Sequence, residues 1–189
     1  MTSVLTEIAT MDPAVVGRVA TDPARSSALA PGLVVRPARA RDATALYGLS
    51  RPFAVSGALR ERPPELYATD AADFLVVEAP GPGGLLGCLA LREHPSAPLG
   101  PSGVLYNFCV APEGQGRGIG SALLAAALRA AGTRELRAVF TATSGSGSLF
   151  MTHGFAPTAL RLAPPAWARA LDPRRGSRVL ARRSGTLSG

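Results

Sequence analysis

The sequence predicts an α/β fold, in which a mixed, mostly antiparallel sheet is flanked by helices and contains one central βαβ crossover. Three observations predict this fold. Short apolar runs of strand length recur between residues 33 and 183. Segment 114–120 holds four glycines and joins one such run, 103–110, to an alanine- and leucine-rich run of helical character. The chain has 189 residues, enough for one domain with a sizeable core.

The domain is expected to occupy residues 32–183. Residues 1–31 predict a loosely ordered arm with a helix near 12–20, because prolines interrupt the segment. Residues 184–189 predict a flexible tail. The N-terminus lacks a basic segment followed by a long apolar stretch, so we expect no signal peptide and a cytoplasmic protein.

The first half of the domain predicts antiparallel strands. A short strand over 33–36 precedes a helix over 43–50, with Asp42 as its N-cap. The segment from Pro52 to Pro64 is expected to be irregular, with a short helix. The next elements are a strand, a glycine-rich hairpin turn, a return strand and a proline-rich loop, over 74–78, 81–84, 85–92 and 94–102.

The second half predicts the crossover. The helix after the glycine segment, over 121–131, carries an apolar stripe at helical spacing, namely Ile119, Leu123, Leu124, Ala127 and Leu128. The remaining expected elements are strand 136–141, helix 146–153 ended by Gly154, strand 155–162, helix 164–171 and strand 177–182.

Composition limits the class of protein. The hydrophobic fraction is 47%, and no run reaches the about 18 apolar residues that a membrane span needs. All 20 basic residues are arginine, and the net charge of +7 suits an anionic ligand. Aromatic residues make up only 5%, which argues against a single-stranded nucleic-acid platform. Cys88 and Cys109 lie in strand-like runs and are expected to be packed thiols, and no metal site is predicted.

The glycine segment is the strongest functional signal. A glycine loop that opens a helix presents free backbone N–H groups and the positive end of the helix dipole, which suits phosphate. Its spacing does not fit a dinucleotide fold, which needs a later acidic residue, or a P-loop, which needs a lysine. It fits Gln-x-x-Gly-x-Gly over Gln115–Gly120. This motif resembles the coenzyme A pyrophosphate loop of the GNAT acetyltransferase superfamily; the alternative is an ordinary glycine-rich turn.

Several further segments are similar to one GNAT branch, the acetyltransferase domain of N-acetylglutamate synthases and related amino-acid N-acetyltransferases. No single segment is specific, but their order and spacing match. They are Ser50–Phe53, Glu65–Tyr67, Asp73–Glu78, Gly87–Leu91, Val139–Phe140, Phe150–Phe155 and Arg175–Ser177. The resemblance spans roughly residues 33–183 and implies the same order of elements.

The resemblance also implies functional residues. Coenzyme A would be bound by the strand before the loop and by the loop itself: Phe108, Cys109, Val110, Gln115, Gly116, Arg117, Gly118, Ile119, Gly120 and Ser121. An acceptor clamp would comprise Arg51, Arg92, Arg175 and Ser177, since arginine binds carboxylate through two parallel hydrogen bonds. For each of these arginines the alternative is an ordinary surface residue.

The catalytic groups are less well matched. An N–H from the strand at Cys109 would polarise the thioester carbonyl. Val104 stands where the amino-acid branch usually has a glutamate base, and Phe150 stands where many GNAT enzymes have a tyrosine acid. Tyr106, Glu93 and His94 are the candidate replacement bases, and a hydroxyl from Thr143 or Ser144 is the candidate acid.

The resemblance implies an acetyl-CoA-dependent N-acetyltransferase that acts by direct attack on the α-amino group of a glutamate-like amino acid, as in arginine biosynthesis. Two alternatives remain open: an acetyltransferase for another small amine, such as an antibiotic or a biosynthetic intermediate, and a coenzyme-A-binding sensor without turnover. A nucleic-acid-binding protein would rest on charge alone. We expect a small-molecule amine as partner, neither nucleic acid nor membrane, and leave a homodimer open.

Overall fold

The computed structural model of the protein describes residues 29–81 and 84–184. The helix predicted near 12–20, two residues of the predicted hairpin turn and the tail beyond residue 184 lie outside this part of the chain. Within the described residues, no helix is long and apolar enough to cross a membrane.

Seven strands form one mixed sheet in the order β1-β2-β3-β4-β5-β7-β6. The strands are β1 Val35–Pro37, β2 Phe74–Glu78, β3 Leu85–His94, β4 Ser102–Val110, β5 Ala138–Thr143, β6 Ala156–Pro157 and β7 Arg178–Arg183. Every neighbouring pair is antiparallel except β4 and β5, which are parallel. The predicted fold class, including its central crossover, is therefore confirmed.

In the part of the chain that the structure describes, five α-helices accompany the sheet: α1 Ala43–Val55, α2 Pro64–Thr69, α3 Ile119–Thr133, α4 Ser148–Thr152 and α5 Pro165–Ala170. Helix α3 makes the crossover from β4 to β5. Its predicted stripe is buried at Ile119, Leu123, Leu124 and Ala127, and Leu128 packs at the edge of the same cluster.

The two faces of the sheet carry different cores. On one face, α3 packs on residues such as Leu89, Leu91 and Leu105. On the other face, α1 and α2 cover a second cluster that includes Phe74 and Cys88. Side chains alternate between faces along a strand, so the functional residues of β4 are divided between these two environments.

Helix α1 is longer than predicted. It continues through Pro52 to Val55, although a proline in a helix removes one backbone hydrogen bond. Phe53 compensates by packing against the second core. Asp42 precedes α1 but does not cap it; its carboxylate instead accepts from the Arg39 N–H and pairs with Arg36 at 2.7 Å.

Two expectations for irregular and extended segments were wrong. The second helix lies at Pro64–Thr69, after the segment where it was expected, and begins with a proline at its first turn, a favoured position. The strand expected over 155–162 is reduced to Ala156–Pro157. Pro157 has no N–H to continue a ladder, and the chain passes into a 3-10 turn at Leu160–Leu162.

Strands β4 and β5 diverge, and this divergence positions the site. Their pairing ends at Val104, which lies opposite Phe140. From residue 105 to 110, β4 has no described pairing with β5, so one edge of its backbone faces a gap. The predicted splay near Thr141–Thr143 lies at this gap. We call it the β4–β5 slot.

Candidate active site

The glycine loop adopts a conformation that only glycine takes easily. Gly116 and Gly118 have φ of 71° and 75°, in the left-handed region. A Cβ on Gly114 would lie 3.1 Å from the Leu86 carbonyl oxygen, so a side chain there would be tightly packed against the backbone of β3. The loop is therefore held close to β3 while its outer residues, Gln115 and Gly116, stay exposed.

Helix α3 begins directly after this loop with an open N-terminus. Gly118 is the N-cap residue and supplies no side-chain hydrogen bond. The first backbone N–H groups of a helix have no intrahelical partner, and the helix dipole makes this end positive. Arg117 is half-buried beside them, and its carbonyl accepts a hydrogen bond from the Ala30 N–H at 3.1 Å. These groups are suited to bind an anion, and we call residues 115–121 the anion cradle.

A cavity of about 610 Å³ opens beside the β4–β5 slot. At the slot it is lined by Asn107, Phe108, Thr143, Ser144 and Phe150. It continues across the sheet face to a wall that contains four arginines, Arg60, Arg62, Arg92 and Arg175. We call these four residues the arginine wall. One cavity thus joins the slot to a cationic surface.

Two hydroxyl groups at the slot can donate hydrogen bonds to a ligand. Thr143 is half-buried, and its Oγ1 accepts from the Gly145 N–H at 3.2 Å, which leaves its own proton free to donate. Ser144 is exposed beside it. Phe150 lines the cavity and packs edge-on against Phe108, with ring centroids 5.8 Å apart. The position expected to hold an acid is therefore apolar.

Half of the arginine wall is already paired with carboxylates. The guanidinium of Arg92 contacts Asp70 at 2.6 Å and Asp73 at 2.8 Å, and Arg62 contacts Asp70 at 2.6 Å. The Nε of Arg62 is buried without a hydrogen-bond partner. These acids lie outside the cavity lining. They therefore neutralise the positive charges of the two arginines from the side away from the cavity.

Tyr106 sits between these charges. Its hydroxyl donates to Asp73 at 2.7 Å and accepts from Arg92 at 3.0 Å, while Arg62 lies 4.7 Å from its ring centroid. Burial and the Asp73 carboxylate raise the pKa of Tyr106 well above its usual range. A phenol that is hard to ionise and doubly hydrogen-bonded is a poor proton acceptor.

The other half of the wall connects two loops. Arg175 donates to the carbonyls of Gly57 at 2.9 Å and Ala58 at 3.0 Å. Arg60 donates in the opposite direction, to the Ala170 carbonyl at 3.2 Å. Neither guanidinium makes an ion pair within the described part of the chain. These two arginines therefore hold the positive charge available to a ligand.

The cavity offers few bases. Val104 lines it and is only 2% exposed, in register with Arg92. Glu93 is exposed and lies outside the lining, and Asp172 is the one carboxylate of the described residues that contributes to it. His94 does line the cavity; burial and the nearby Arg92 charge lower its pKa, so its imidazole stays neutral at pH 7.

Several residues singled out from the sequence do not line the cavity: besides Glu93, these are Val110 and the loop residues 115–121, and also Arg51 and Cys109. Arg51 lies exposed on α1. Cys109 points into the second core, where its Sγ is 3.5 Å from that of Cys88. Contact with Cys88 and burial raise the pKa of Cys109, so its thiol stays protonated. Arg92, Tyr106, Phe108, Thr143, Ser144, Arg175 and Ser177 do line it.

Sequence reasoning missed Arg60, Arg62 and the two aspartates behind the wall. Arg60 and Arg62 fall in the segment read as irregular, where no periodicity indicates a direction. One signal existed: Arg60-Glu61-Arg62 places two cations within a short loop that borders a helix, Pro64–Thr69. Asn107 was also missed as a functional residue, although it interrupts an otherwise apolar strand.

The chain is similar to known proteins in family and fold. Residues 70–157 match the family model of the acetyltransferase (GNAT) domain. The segment runs from Asp70, behind the arginine wall, through the glycine loop to β6. No curated protein is significantly similar to the chain in sequence.

Solved structures share the fold over most of the chain. N-acetylglutamate synthase from Neisseria gonorrhoeae, in complex with coenzyme A and N-acetyl-glutamate, is 26% identical with a TM-score of 0.71. The match covers 80% of this chain and 35% of that one, so this chain spans about a third of that protein's length. Rv2747 from Mycobacterium tuberculosis, in complex with coenzyme A, is 24% identical with a TM-score of 0.67, covering 80% and 99%.

A mixed sheet that opens between two parallel strands beside a glycine-loop anion cradle defines an N-acetyltransferase domain. The chain thus contains a GNAT acetyltransferase domain, matched by the family model over residues 70–157. The resemblance drawn from its sequence is thereby confirmed at that level.

Proposed function

We propose that the protein transfers an acetyl group from acetyl-CoA to the α-amino group of a small, glutamate-like amino acid. The observation that carries this proposal is the single cavity that joins the β4–β5 slot to the arginine wall. The glycine loop lies at the end of β4, on the side of the slot where the acetyl donor would bind. An anionic amine bound at the wall would meet an acyl group held in the slot.

The residues present fit coenzyme A. The uncapped N-terminus of α3 and the outward-facing glycines Gly116 and Gly118 suit a pyrophosphate. Arg117 can add a charge-assisted hydrogen bond. The unpaired edge of β4 at Phe108, Cys109 and Val110 can bind the pantetheine arm as a neighbouring strand would. When bound, acetyl-CoA supplies the acetyl thioester.

The acceptor would be held by the arginine wall. Arg175 and Arg60 carry the uncompensated charge, and Ser177 lines the same wall and can donate a hydroxyl hydrogen bond. Arg92 is committed to Asp70 and Asp73, so we assign it to holding Tyr106 and the cavity shape. Arginine recognises planar carboxylates, which favours an amino acid over a purely cationic amine.

Proton movement would depend little on a protein base. The amine must be neutral to attack, and Val104 offers no carboxylate to remove its proton. Another titratable group in the cavity lining, His94, lies at the end of β3, opposite Ser102 and at the far end of β4 from Phe108. We therefore propose that the acceptor loses its proton to water and that positioning supplies most of the rate. Thr143 is suited to protonate the departing thiolate.

Release of free thiol from acetyl-CoA tests the proposal directly. Purified full-length protein is assayed with each of the common amino acids and with aminoglycosides and polyamines. We expect turnover with glutamate or a closely related acidic amino acid, and the product would then connect the protein with arginine biosynthesis. Turnover with a cationic amine but none with acidic amino acids would refute the assignment of the acceptor.

A second candidate function is favoured by Val104. Without a carboxylate at position 104, the site suits a more acidic amine, or the protein binds coenzyme A as a signal without turnover. Calorimetric measurement of coenzyme A binding, combined with the thiol-release assay, separates a sensor from an enzyme. Micromolar binding of coenzyme A without thiol release for any acceptor would indicate a sensor.

A further inference from the structure

We propose that Asn107 is a positioning residue: its side chain anchors a bulge in β4 and so aims the β4 backbone N–H groups into the slot. This inference rests on the proposed acetyl transfer. It concerns a residue for which sequence reasoning gave no role.

The bulge is visible in the strand register. Cys88 lies opposite Cys109, and Ala90 lies opposite Tyr106. Two steps along β3 therefore match three steps along β4, so β4 contains one extra residue. Such a bulge redirects the backbone groups beside it.

Asn107 lies within this bulge and has φ of 50°. Among non-glycine residues of the described chain, only Glu135 also has a positive φ. Asparagine tolerates this left-handed conformation better than most side chains do. The residue type thus fits the backbone that the bulge requires.

The amide side chain is fastened to three different elements. Its Nδ2 donates to Ser50 Oγ on α1 at 2.8 Å and lies 3.5 Å from Cys88 Sγ on β3. Its Oδ1 accepts from the Tyr67 hydroxyl on α2 at 3.3 Å. Burial raises the pKa of Tyr67, so this hydroxyl keeps its proton. All of these partners are buried, and such a network fixes the group that it surrounds.

The anchored segment is the part of β4 that borders the slot. Asn107 and Phe108 both line the cavity, and β4 has left β5 three residues earlier. A backbone N–H there acts on a thioester carbonyl only if its direction is fixed. The network of Ser50, Tyr67 and Cys88 provides that fixation from the face opposite α3.

The test compares Asn107→Gly with the wild-type full-length protein. Glycine takes a positive φ without strain, so the bulge can persist while its anchor is lost. We expect kcat to fall about 10- to 100-fold, consistent with misdirecting one oxyanion donor, whereas the dissociation constant of coenzyme A changes less than about threefold. Tyr67→Phe and Ser50→Ala each remove one anchoring bond, and we expect smaller losses in kcat from them.

A matched control separates positioning from stability. Val76→Ala truncates a fully buried, apolar residue of the same core, which forms no hydrogen bond with the amide. We expect it to lower the melting temperature but to leave kcat within about twofold. If Val76→Ala and Asn107→Gly were equally stable and lost the same fraction of kcat, the inference would be overturned.

Infrared spectroscopy of bound, carbonyl-labelled acetyl-CoA provides a readout that a merely structural role would not change, and it needs no acceptor. We expect the thioester carbonyl stretch to shift to lower frequency on binding to the wild type, and the shift to shrink in Asn107→Gly and Tyr67→Phe. An unchanged shift together with an unchanged kcat would overturn the inference alone. Failure of the wild type to bind acetyl-CoA would instead refute the proposed function.

Discussion

The slot side and the wall side of the cavity are built by different parts of the chain. The β4 edge of the slot and the anion cradle come from β4, the glycine loop and the start of α3, one continuous segment whose main groups are backbone N–H and C=O. The arginine wall comes from three separate segments of the chain, which carry Arg60 with Arg62, Arg92 and Arg175. Its properties depend on which of these side chains pair with acids. A site formed by backbone groups can therefore be predicted from the local spacing of glycines. A site formed by side chains from distant segments becomes visible only in the tertiary structure.

The largest expected effect concerns the backbone-built side. Gly118→Asp places a carboxylate at the open N-terminus of α3, where φ is 75°. It would repel a pyrophosphate at close range, which costs several kcal/mol, and we expect the coenzyme A dissociation constant to rise at least about 100-fold. Isothermal titration calorimetry measures this change.

Gly132→Asp is the matched control for that change. Gly132 lies near the other end of the same helix and is exposed, with open space around it. It introduces the same charge, and we expect coenzyme A binding to stay within about threefold of wild type. Equal weakening by both variants would mean that the loss reflects damage to the helix rather than a lost anion cradle.

The next effect concerns the side-chain-built half. Arg175→Ala removes a cation that has no carboxylate partner among the described residues. Since a hydrogen bond to a charged group contributes about 1.5–3 kcal/mol, we expect the acceptor KM to rise about 10- to 100-fold. The KM for acetyl-CoA should change less than about threefold, as measured by initial rates with each substrate varied.

Arg174→Ala removes the neighbouring arginine, which is exposed and lies outside the cavity lining. We expect little change from it in either KM. Equal rises in both KM values for Arg175→Ala would count against a role in acceptor binding and would favour a purely structural link to Gly57 and Ala58.

The same division explains what could be predicted from the sequence. Strand periodicity and the Gln115–Gly120 spacing predicted the sheet, the crossover and the cradle, because each depends on neighbours in the chain. Arg92 was predicted as part of the clamp, but its partners Asp70 and Asp73 approach it only after β2 and β3 pair. The bulge at Asn107 depends on a mismatch between two strands, and no single strand's sequence contains that information.

A gain of function would sharpen the comparison. Val104→Glu places a carboxylate at the cavity position that the amino-acid branch usually reserves for its base, in register with Arg92. General bases contribute about 10²–10⁴-fold in evolved sites; for an unoptimised one we expect kcat/KM for the acceptor at pH 7 to rise only about tenfold. Val104→Gln has nearly the same size but no basic carboxylate, and it should not raise the rate. Equal gains in both variants would attribute the effect to cavity shape.

The smallest effect is expected at His94. Its pKa is lowered by burial and by the Arg92 charge, so the imidazole is neutral at pH 7 and becomes charged only at a pH below its usual range near 6.5. If water accepts the proton of the amine, kcat/KM for the acceptor should rise steadily with pH until the amine itself is neutral, and His94→Gln should change it less than about threefold. A base at His94 would instead give a rate that levels off above the lowered pKa of His94, and that acidic limb would disappear in His94→Gln. The pH profile of the two proteins therefore decides whether the wall side supplies chemistry or only binding.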